Sequence, residues 1–321
     1  MHQRTRHILQ IRPRRAALGQ RTIILGVLNV TPDSFSDGGL YADPRAALAH
    51  GIEMVKSGAD WIDVGGESTR PGANPVPMHE ELARVVPVIR SLHHQFSTLP
   101  ISIDTTKAAV AEEAVRAGAS IINDVSGLRF DPRLAEVARR YRTALILMHL
   151  RGRPETMQRK PFARDVWRSI LAGLRRSIRR ALRAGVRHSQ LIIDPGLGFG
   201  KTRRQNFEIL ARLDRLQGFG LPILVGSSRK SFVQAVARGE GLGPLASHGS
   251  TSALARLWPL VASKARRGKP VSAATVRTLQ TGDAAATVAA ILGGAHIVRV
   301  HDVAALVPAV RIADAMLEAL T

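Results

Sequence analysis

One repeated unit restricts the fold of this chain more than any other feature of its sequence. In each copy a helical stretch ends on glycine, a short run of Ile, Val and Leu follows, and polar or charged residues come next. The clearest copies cover residues 56–68, 116–127, 183–198 and 292–303. Glycine suits the left-handed conformation that ends many helices, and continuous apolar runs are typical of parallel strands buried on both faces. The pattern therefore predicts helices that alternate with parallel strands.

Eight apolar runs of this kind occur along the chain. As strands they would cover residues 23–29, 60–65, 100–104, 119–124, 143–149, 190–194, 221–226 and 295–300. Helical patterns lie near 44–57, 79–94, 107–117, 131–140, 163–184, 204–214, 229–238 and 302–319. Eight such units close a barrel, so we predict an α/β fold made of a single (β/α)8 TIM barrel. A doubly wound open sheet is the alternative, and it is disfavoured because no G-x-G-x-x-G motif opens a helix.

Two segments fall outside this rhythm. Between the seventh and eighth strands, residues 239–276 have the composition of a loop around the apolar piece LARLWPLVA, and we interpret them as an insertion on the barrel. Residues 282–294 then resume a helical pattern. Residues 1–21 form a basic N-terminal extension without the apolar segment of a secretory signal. We expect this extension to be solvated, with an organelle transit peptide as the alternative, and the barrel to cover residues 22–321.

The formal net charge of +21 admits two explanations. One is a nucleic-acid partner, and the other is an arginine-rich surface with a site for an anionic small molecule. Aromatic residues make up only 4% of the chain, too few for an obvious base-stacking surface, so we expect no nucleic-acid partner. The chain has no cysteine, which excludes disulfides and thiolate metal sites and suits a cytoplasmic location. No apolar run approaches the roughly 20 residues of a membrane helix, so we expect no membrane partner.

The predicted strands end in polar or charged residues. Active sites of TIM barrels are built at the C-terminal ends of the strands. In this chain those ends carry Asn29, Glu67 with Thr69 and Arg70, Asp104, Asn123 with Asp124, His149, Asp194, Ser227 through Lys230, and Arg299 with His301. Taken singly, Asp104 or Asp194 is equally well explained as a helix N-cap, and His149 as a core histidine. A complete ring of such groups indicates a polar, partly anionic ligand.

The chemistry of these side chains narrows the ligand. Buried carboxylates require hydrogen-bond donors, which a flat heterocycle with an N–H face, such as a pterin or a guanine, would supply to Asp104 and Asp194. Lys230 is the nearest candidate for the carbonyl of such a ring. The cations at other ends suit a diphosphate, because the planar fork of arginine matches phosphate oxygens in pairs. The glycine-rich segment 194–201 would let backbone approach a ring or an anion.

The loops of this chain resemble those of a known family. ILGVLNVTPDSFSDGG (24–39) and GADWIDVGGESTRPGA (58–73) are similar to the two signature loops of the dihydropteroate synthases. The similarity continues through ISIDTTK, GASIINDVSG, LMHLRGRPETMQ, IDPGLGFGKT, PILVGSSRKSF and GAHIVRVHDV, in order and with one motif per strand. It extends from residue 23 to the end of the chain.

The resemblance implies an activity and a set of site residues. The expected reaction joins 6-hydroxymethyl-7,8-dihydropterin diphosphate to p-aminobenzoate, giving 7,8-dihydropteroate and pyrophosphate in folate biosynthesis, and a homodimer is expected. The residues implied for pterin binding are Asp104, Asn123, Asp194, Lys230, Arg299 and Phe199. Those implied for the diphosphate are Asn29, Arg70, Arg299 and His301, and Asn29 is also the implied ligand of Mg2+. Those implied for p-aminobenzoate are Phe35, Thr69, Pro71, Phe199, Lys230 and Ser231. The implied catalytic residues are Asp104, Arg70, Asp33 and Lys230.

The implied mechanism is a Mg2+-assisted, SN1-like loss of pyrophosphate. Cations would stabilise the charge on the leaving group, and the electron-rich pterin would delocalise the charge left on carbon. Three rival functions remain. Corrinoid-dependent methyltransferases with a pterin domain share the fold but lack the paired signature loops. A catalytically silent relative and a nucleic-acid binder are the other two.

Overall fold

The structure, a computed structural model, describes residues 4–31, 44–68, 74–154, 156–157, 164–242 and 273–320. A hairpin of two antiparallel strands comes first, β1 (His7–Ile11) and β2 (Arg14–Leu18). Eight parallel strands follow: β3 (Ile23–Asn29), β4 (Trp61–Gly65), β5 (Ile101–Asp104), β6 (Ile121–Asp124), β7 (Ala144–Met148), β8 (Leu191–Asp194), β9 (Leu224–Val225) and β10 (Ile297–Val300). Each predicted strand is therefore confirmed.

The eight strands close into a barrel. They are hydrogen-bonded in the order β8-β7-β6-β5-β4-β3-β10-β9. A parallel bridge between Ile193 and Ile223 joins β8 to the residues just before β9. The backbone N–H of Ile193 also donates to the carbonyl of Pro222 at 3.0 Å. The predicted TIM barrel is therefore confirmed, and the open sheet is excluded.

Helices surround the strands. They are α1 (Pro44–Lys56), α2 (Met78–Gln95), α3 (Ala108–Arg116), α4 (Leu134–Tyr141), α5 (Val166–Arg183), α6 (Arg203–Ala211), α7 (Ser231–Ala237), α8 (Ala273–Leu292) and α9 (Val303–Glu318). The pattern predicted over 204–214 is divided between α6 and a 3-10 helix, Leu213–Phe219. Helix α8 begins inside the segment predicted as an insertion, and residues 243–272 of that segment lie outside the described residues. None of the helices in the described ranges combines the length and apolar character needed to cross a bilayer.

Alternation along the strands separates two apolar layers. Successive side chains of a strand point to opposite faces. One layer lies within the ring and takes a residue from most strands: Leu25, Trp61, Ile121, Ile146, Ile192, Leu224 and Ile297. Their neighbours along the chain, such as Ile62, Ile122, Ile193 and Val298, pack against the helices instead. This period-2 pattern fixes which residues point into the barrel farther along each strand.

The N-terminal hairpin corrects one expectation. Leu9, Ile11 and Leu18 are 1–3% exposed and join the apolar layer within the ring. Arg4 anchors the segment, donating to Thr22 Oγ1 at 2.8 Å and to Asp314 Oδ1 at 2.6 Å. The expectation of a solvated extension is therefore wrong for this part of residues 1–21. The apolar end of the barrel needs a cover, and three large apolar side chains among basic residues are enough to supply it.

Candidate functional site

Strand alternation brings five polar side chains into the mouth of the barrel. Trp61, Ile121, Ile192 and Ile297 point into the ring. Two residues farther along the same strands, Asp63, Asn123, Asp194 and Arg299 must point the same way, and Asp104, which pairs with Asn123 in register, joins them. The site is thus a consequence of placing polar residues at inward positions near the C-terminal ends of apolar strands.

Arg299 is the centre of a buried network. Its Nε donates to Asp63 Oδ2 at 2.6 Å, and its Nη2 donates to Asp104 Oδ2 at 2.7 Å. Asn123 Nδ2 donates to the same oxygen of Asp63 at 2.9 Å. A single guanidinium therefore bridges two carboxylates, while three of its five N–H groups remain outside these two bonds.

Asp63 is a site residue that the sequence analysis missed. Its side chain is fully buried, and it lies in the middle of β4 rather than at the strand end, where polar residues were sought. The available signal was a charged residue inside the apolar run WIDVG. A carboxylate in a strand buried on both faces requires a partner, and alternation gives its direction.

The network leaves acceptors unused. Asp63 Oδ1 and Asp104 Oδ1 are buried, and neither has a hydrogen-bond partner among the described residues. Burial raises the pKa of Asp104 to about 7, with the charge of Asp63 adding to the rise and that of Arg299 opposing it. Buried acceptors of this kind stabilise a ligand that brings N–H donors.

Asp194 lies at the end of β8, beside the glycine-rich segment. Its Oδ1 accepts the backbone N–H of Gly196 at 2.6 Å. Burial raises the pKa of Asp194 to about 6, and the Gly196 hydrogen bond and the charge of Lys230 oppose that rise. Lys230 Nζ lies 4.2 Å from the ring centroid of Phe199, so these two predicted residues form one wall of the site. A cation at this distance from an aromatic ring stabilises that arrangement.

Two further predicted residues lie on the same rim. Asn29 ends β3 and pairs in register with Gly65. A Cβ placed on Gly65 would lie 3.7 Å from Asn29 Oδ1 and 3.6 Å from Asp104 Cβ, so the side chains of Asn29 and Asp104 both lie beside Gly65 on this rim. His301 follows β10, and its backbone N–H donates to Ser228 Oγ at 3.3 Å.

The remaining predicted site residues have simple positions. Ser231 is exposed and begins α7, directly after Lys230. Five predicted site residues lie outside the described residues: Asp33, Phe35, Thr69, Arg70 and Pro71.

The structure also distinguishes site residues from residues with a structural role, such as helix caps, turn formers and core histidines. Helix α3 is preceded by Lys107 at its N-cap and α6 by Thr202, so neither Asp104 nor Asp194 caps a helix. Asp124 points away from the mouth and accepts the N–H groups of Ser126 and Leu128, which makes it a turn former. His149 is 7% exposed, its Nε2 lies 3.3 Å from Ser169 Oγ, and burial lowers its pKa far below the usual range. It is therefore a neutral core histidine.

The site offers limited ligands for a metal. No group of three or more His, Asp or Glu in the described part of the chain is arranged to hold a metal ion. Asn29 supplies one amide oxygen at the rim. Mg2+ commonly takes one or two protein oxygens and completes its shell with water and substrate phosphates. The donor set therefore fits a Mg2+ ion that arrives with a phosphorylated substrate.

Comparison with known proteins gives a consistent result. The profile of a family described as pterin binding enzyme matches residues 25–301. A dihydropteroate synthase of Synechocystis sp. is 40% identical over 298 residues, which is 93% of this chain and 91% of that protein. One of Mycobacterium leprae is 42% identical over 298 residues, 92% of this chain and 94% of that protein.

Solved structures agree in fold. The Yersinia pestis dihydropteroate synthase, in a sulfonamide drug complex, superposes with a TM-score of 0.79 and 38% identity, covering 97% of this chain and 99% of that one. The Xanthomonas albilineans dihydropteroate synthase, solved with 4-aminobenzoic acid, gives a TM-score of 0.77 and 38% identity, covering 97% and 98%.

Proposed function

Since the chain belongs to the pterin binding enzymes, and among them to the dihydropteroate synthases, we propose how the mouth of its barrel carries out their reaction. The reaction joins 6-hydroxymethyl-7,8-dihydropterin diphosphate to p-aminobenzoate, and it yields 7,8-dihydropteroate and pyrophosphate in folate biosynthesis. One observation carries the proposal. Arg299 bridges the buried carboxylates of Asp63 and Asp104, and the Oδ1 atom of each has no hydrogen-bond partner among the described residues.

The floor of the mouth holds the pterin ring. Asp104, Asn123 and Asp194 supply oxygen acceptors for the ring N–H groups and the exocyclic amine. Lys230 donates to the ring carbonyl, and Phe199 covers one side of the pocket. The raised pKa values of Asp104 and Asp194 support this assignment, because a pterin that donates hydrogen bonds stabilises their ionised forms.

The diphosphate lies toward Asn29, His301 and the N–H groups of Arg299 that the two carboxylates leave available. These groups orient the leaving group, and a Mg2+ ion held by Asn29 would neutralise part of its charge. Burial of Arg299 acts to lower its pKa, but the charges of Asp63 and Asp104 together outweigh burial and raise it, so the guanidinium stays charged inside the barrel. Asp33 and Arg70 would complete this part of the site.

Bond breaking precedes bond making in the proposed mechanism. The carbon–oxygen bond of the pterin methylene breaks, and its electron pair leaves with pyrophosphate. The pterin delocalises the positive charge on carbon, and Asp104 stabilises that charge electrostatically. The neutral arylamine then attacks the carbon and releases a proton. No strong general base is required for this attack.

The wall around the amine completes the pocket. Phe199, Lys230 and Ser231, with Phe35, Thr69 and Pro71, would hold p-aminobenzoate, and sulfonamides are expected to compete for the same wall. Exclusion of water by this wall protects the cation from hydrolysis. We expect Arg70→Ala to reduce turnover far more than pterin affinity, and unchanged kinetics would remove Arg70 from the mechanism.

An end-point assay tests the proposal. Purified protein with both substrates and Mg2+ should form dihydropteroate and pyrophosphate in equal amounts. In parallel, calorimetry with pteroic acid should show binding to the wild type and none to Asp194→Ala. Product formation with normal pterin affinity in Asp194→Ala would leave the activity standing and refute the assignment of the floor.

We propose a homodimer formed through the last helices, because Ile312 and Met316 lie one helical turn apart on α9 and are 63% and 40% exposed. Light scattering should give a dimer mass, and Ile312→Glu should give a monomer. We also propose a cytoplasmic location, because the chain has no cysteine and disulfides are rare in that compartment.

A further inference from the structure

Lys201 is a buried lysine that neither the sequence analysis nor the proposed mechanism uses. It is the last residue of the glycine-rich segment 194–201 and is 4% exposed. Its Nζ donates to the carbonyl of Gly196 at 2.7 Å, to that of Phe199 at 3.1 Å and to that of His149 at 3.2 Å. An ammonium group has three N–H donors, so these three carbonyls satisfy it completely.

Those three carbonyls come from two different loops. Gly196 and Phe199 belong to the loop after β8, whereas His149 directly follows β7. The two loops lie in direct contact, since a Cβ on Gly196 would come within 2.1 Å of the His149 carbonyl oxygen. Gly196 has a φ of +69°, a conformation that glycine adopts without strain. The ammonium group of Lys201 therefore fixes the loop that carries Phe199 onto the neighbouring loop.

Lys201 also acts on Asp194. Gly196 joins the two residues, because its N–H binds Asp194 Oδ1 while its carbonyl binds Lys201 Nζ. The charge of Lys201 lowers the pKa of Asp194, and that of Asp194 raises the pKa of Lys201. Burial still brings the pKa of Lys201 down to about 7. Lys230 also acts on both members of this pair, and Arg299 acts on Asp194. Burial lowers the pKa of His149, whose carbonyl binds Lys201, and the charge of Lys201 adds to that lowering.

We propose that Lys201 is a positioning residue for the pterin site, whose buried ammonium group holds the glycine-rich segment in place and supplies positive charge that keeps Asp194 a carboxylate. It does so without touching the substrate. This inference rests on the proposed function of Asp194 in pterin binding. Its signature is a change in the pH dependence of binding, which a purely structural lysine would leave unaltered.

The variant Lys201→Met tests this role, since methionine has a similar length and carries no charge. Calorimetry with pteroic acid is run at intervals between pH 5 and pH 8. In the wild type, affinity should fall as the pH drops through about 7, the pKa of Asp104, and fall further through about 6, the pKa of Asp194. In Lys201→Met the midpoint of the Asp194 step should move upward by about one pH unit, while the Asp104 step stays in place. Affinity should be reduced about tenfold at the acid end, because one pKa unit is a tenfold change in the ionised fraction.

Lys107→Met is the matched control. Lys107 is also an ammonium group with more than one hydrogen-bond acceptor, but its partners are Glu67 and Glu81 and it makes no contact with Asp194. Lys107→Met should lower the unfolding free energy but leave the pH midpoint that Asp194 gives to pteroic acid binding at its wild-type value. If Lys201→Met also keeps the wild-type pH midpoint for Asp194, the inference is wrong and the proposed function still stands. Absence of pteroic acid binding by the wild type would instead refute the proposed function.

The lack of cysteine provides a second test if Lys201→Met does not fold. Lys201→Cys carries a unique thiol, which is alkylated in denaturant with bromoethylamine or with bromopropane before refolding. The first product restores an ammonium group, and the second is neutral and of similar size. Tighter pteroic acid binding by the charged product at pH 6 supports the inference. Equal binding by two folded products, or refolding of the charged product alone, contradicts it.

Discussion

Asp104→Asn is expected to make the free protein more stable relative to wild type as the pH rises. Asp104 is 6% exposed, and burial raises its pKa from 3.8 to about 7. Between these two pH values the folded state binds a proton that the unfolded state has released. Stability contributed by the protonated form is therefore lost as the pH rises from about 4 to about 7, and none returns above that. An amide of the same size has no proton to lose.

The size of the effect follows from the pKa difference. Each pKa unit corresponds to about 1.4 kcal/mol, so the raised pKa of Asp104 lowers the free energy of unfolding, relative to strongly acid pH, by roughly 2 kcal/mol at pH 5 and roughly 4 kcal/mol at pH 8. The difference in unfolding free energy between variant and wild type should therefore grow by roughly 2 to 3 kcal/mol over this range, in favour of the variant. Any fixed change in the hydrogen bond to Arg299 is the same at both pH values and cancels.

Urea unfolding followed by circular dichroism at pH 5, 6, 7 and 8 measures how the difference in unfolding free energy between Asp104→Asn and the wild type changes with pH. Asp131→Asn is the control, because hydrogen bonds to Arg133 and the Ala108 N–H outweigh burial and lower the pKa of Asp131. Its carboxylate is ionised in both states above pH 5, so its effect on stability should be flat. If the difference in unfolding free energy between Asp104→Asn and the wild type also stays constant with pH, or favours the wild type at pH 8, burial does not raise the pKa of Asp104.

Three other substitutions test separate parts of the structure. Arg299→Gln should lower the unfolding free energy by about 3–5 kcal/mol, because the carboxyl groups of Asp63 and Asp104 stay buried without a cation. A loss below about 1 kcal/mol in urea unfolding would show that the network does not stabilise the fold. Lys107→Met should cost a similar amount, since the fully buried Glu81 loses its partner, and thermal unfolding at pH 8 checks it. Leu9→Ala should cost about 2–5 kcal/mol with kcat and KM unchanged; altered kinetics would mean that the hairpin acts on the mouth.

Much of the fold followed from local sequence patterns. Glycine-ended helices and continuous apolar runs gave all eight barrel strands, since parallel strands buried on both faces leave a strong signal. The hairpin at residues 7–18 left almost none, because its strands are short and their basic residues dominate the composition. Its burial depends on the apolar end of a barrel assembled from distant segments. No local pattern contains that information.

In the candidate site, too, some residues were predicted from the sequence and others were not. Residues at strand ends, such as Asp194 and Arg299, were found because the topology places those ends on one face. Asp63 and Lys201 were missed for a different reason. Each acts through contacts between segments far apart in sequence, one through Arg299 and the other through the carbonyl of His149. Such partners become visible only when the register of the strands is known.

The hairpin has a practical consequence. It covers the end of the barrel opposite the catalytic mouth, and its turn exposes Arg12 and Pro13. A solid support, a dye or a fused domain attached at this turn would point away from the face where reactants enter. Immobilised protein would then share one orientation, with every mouth open to the bulk solution.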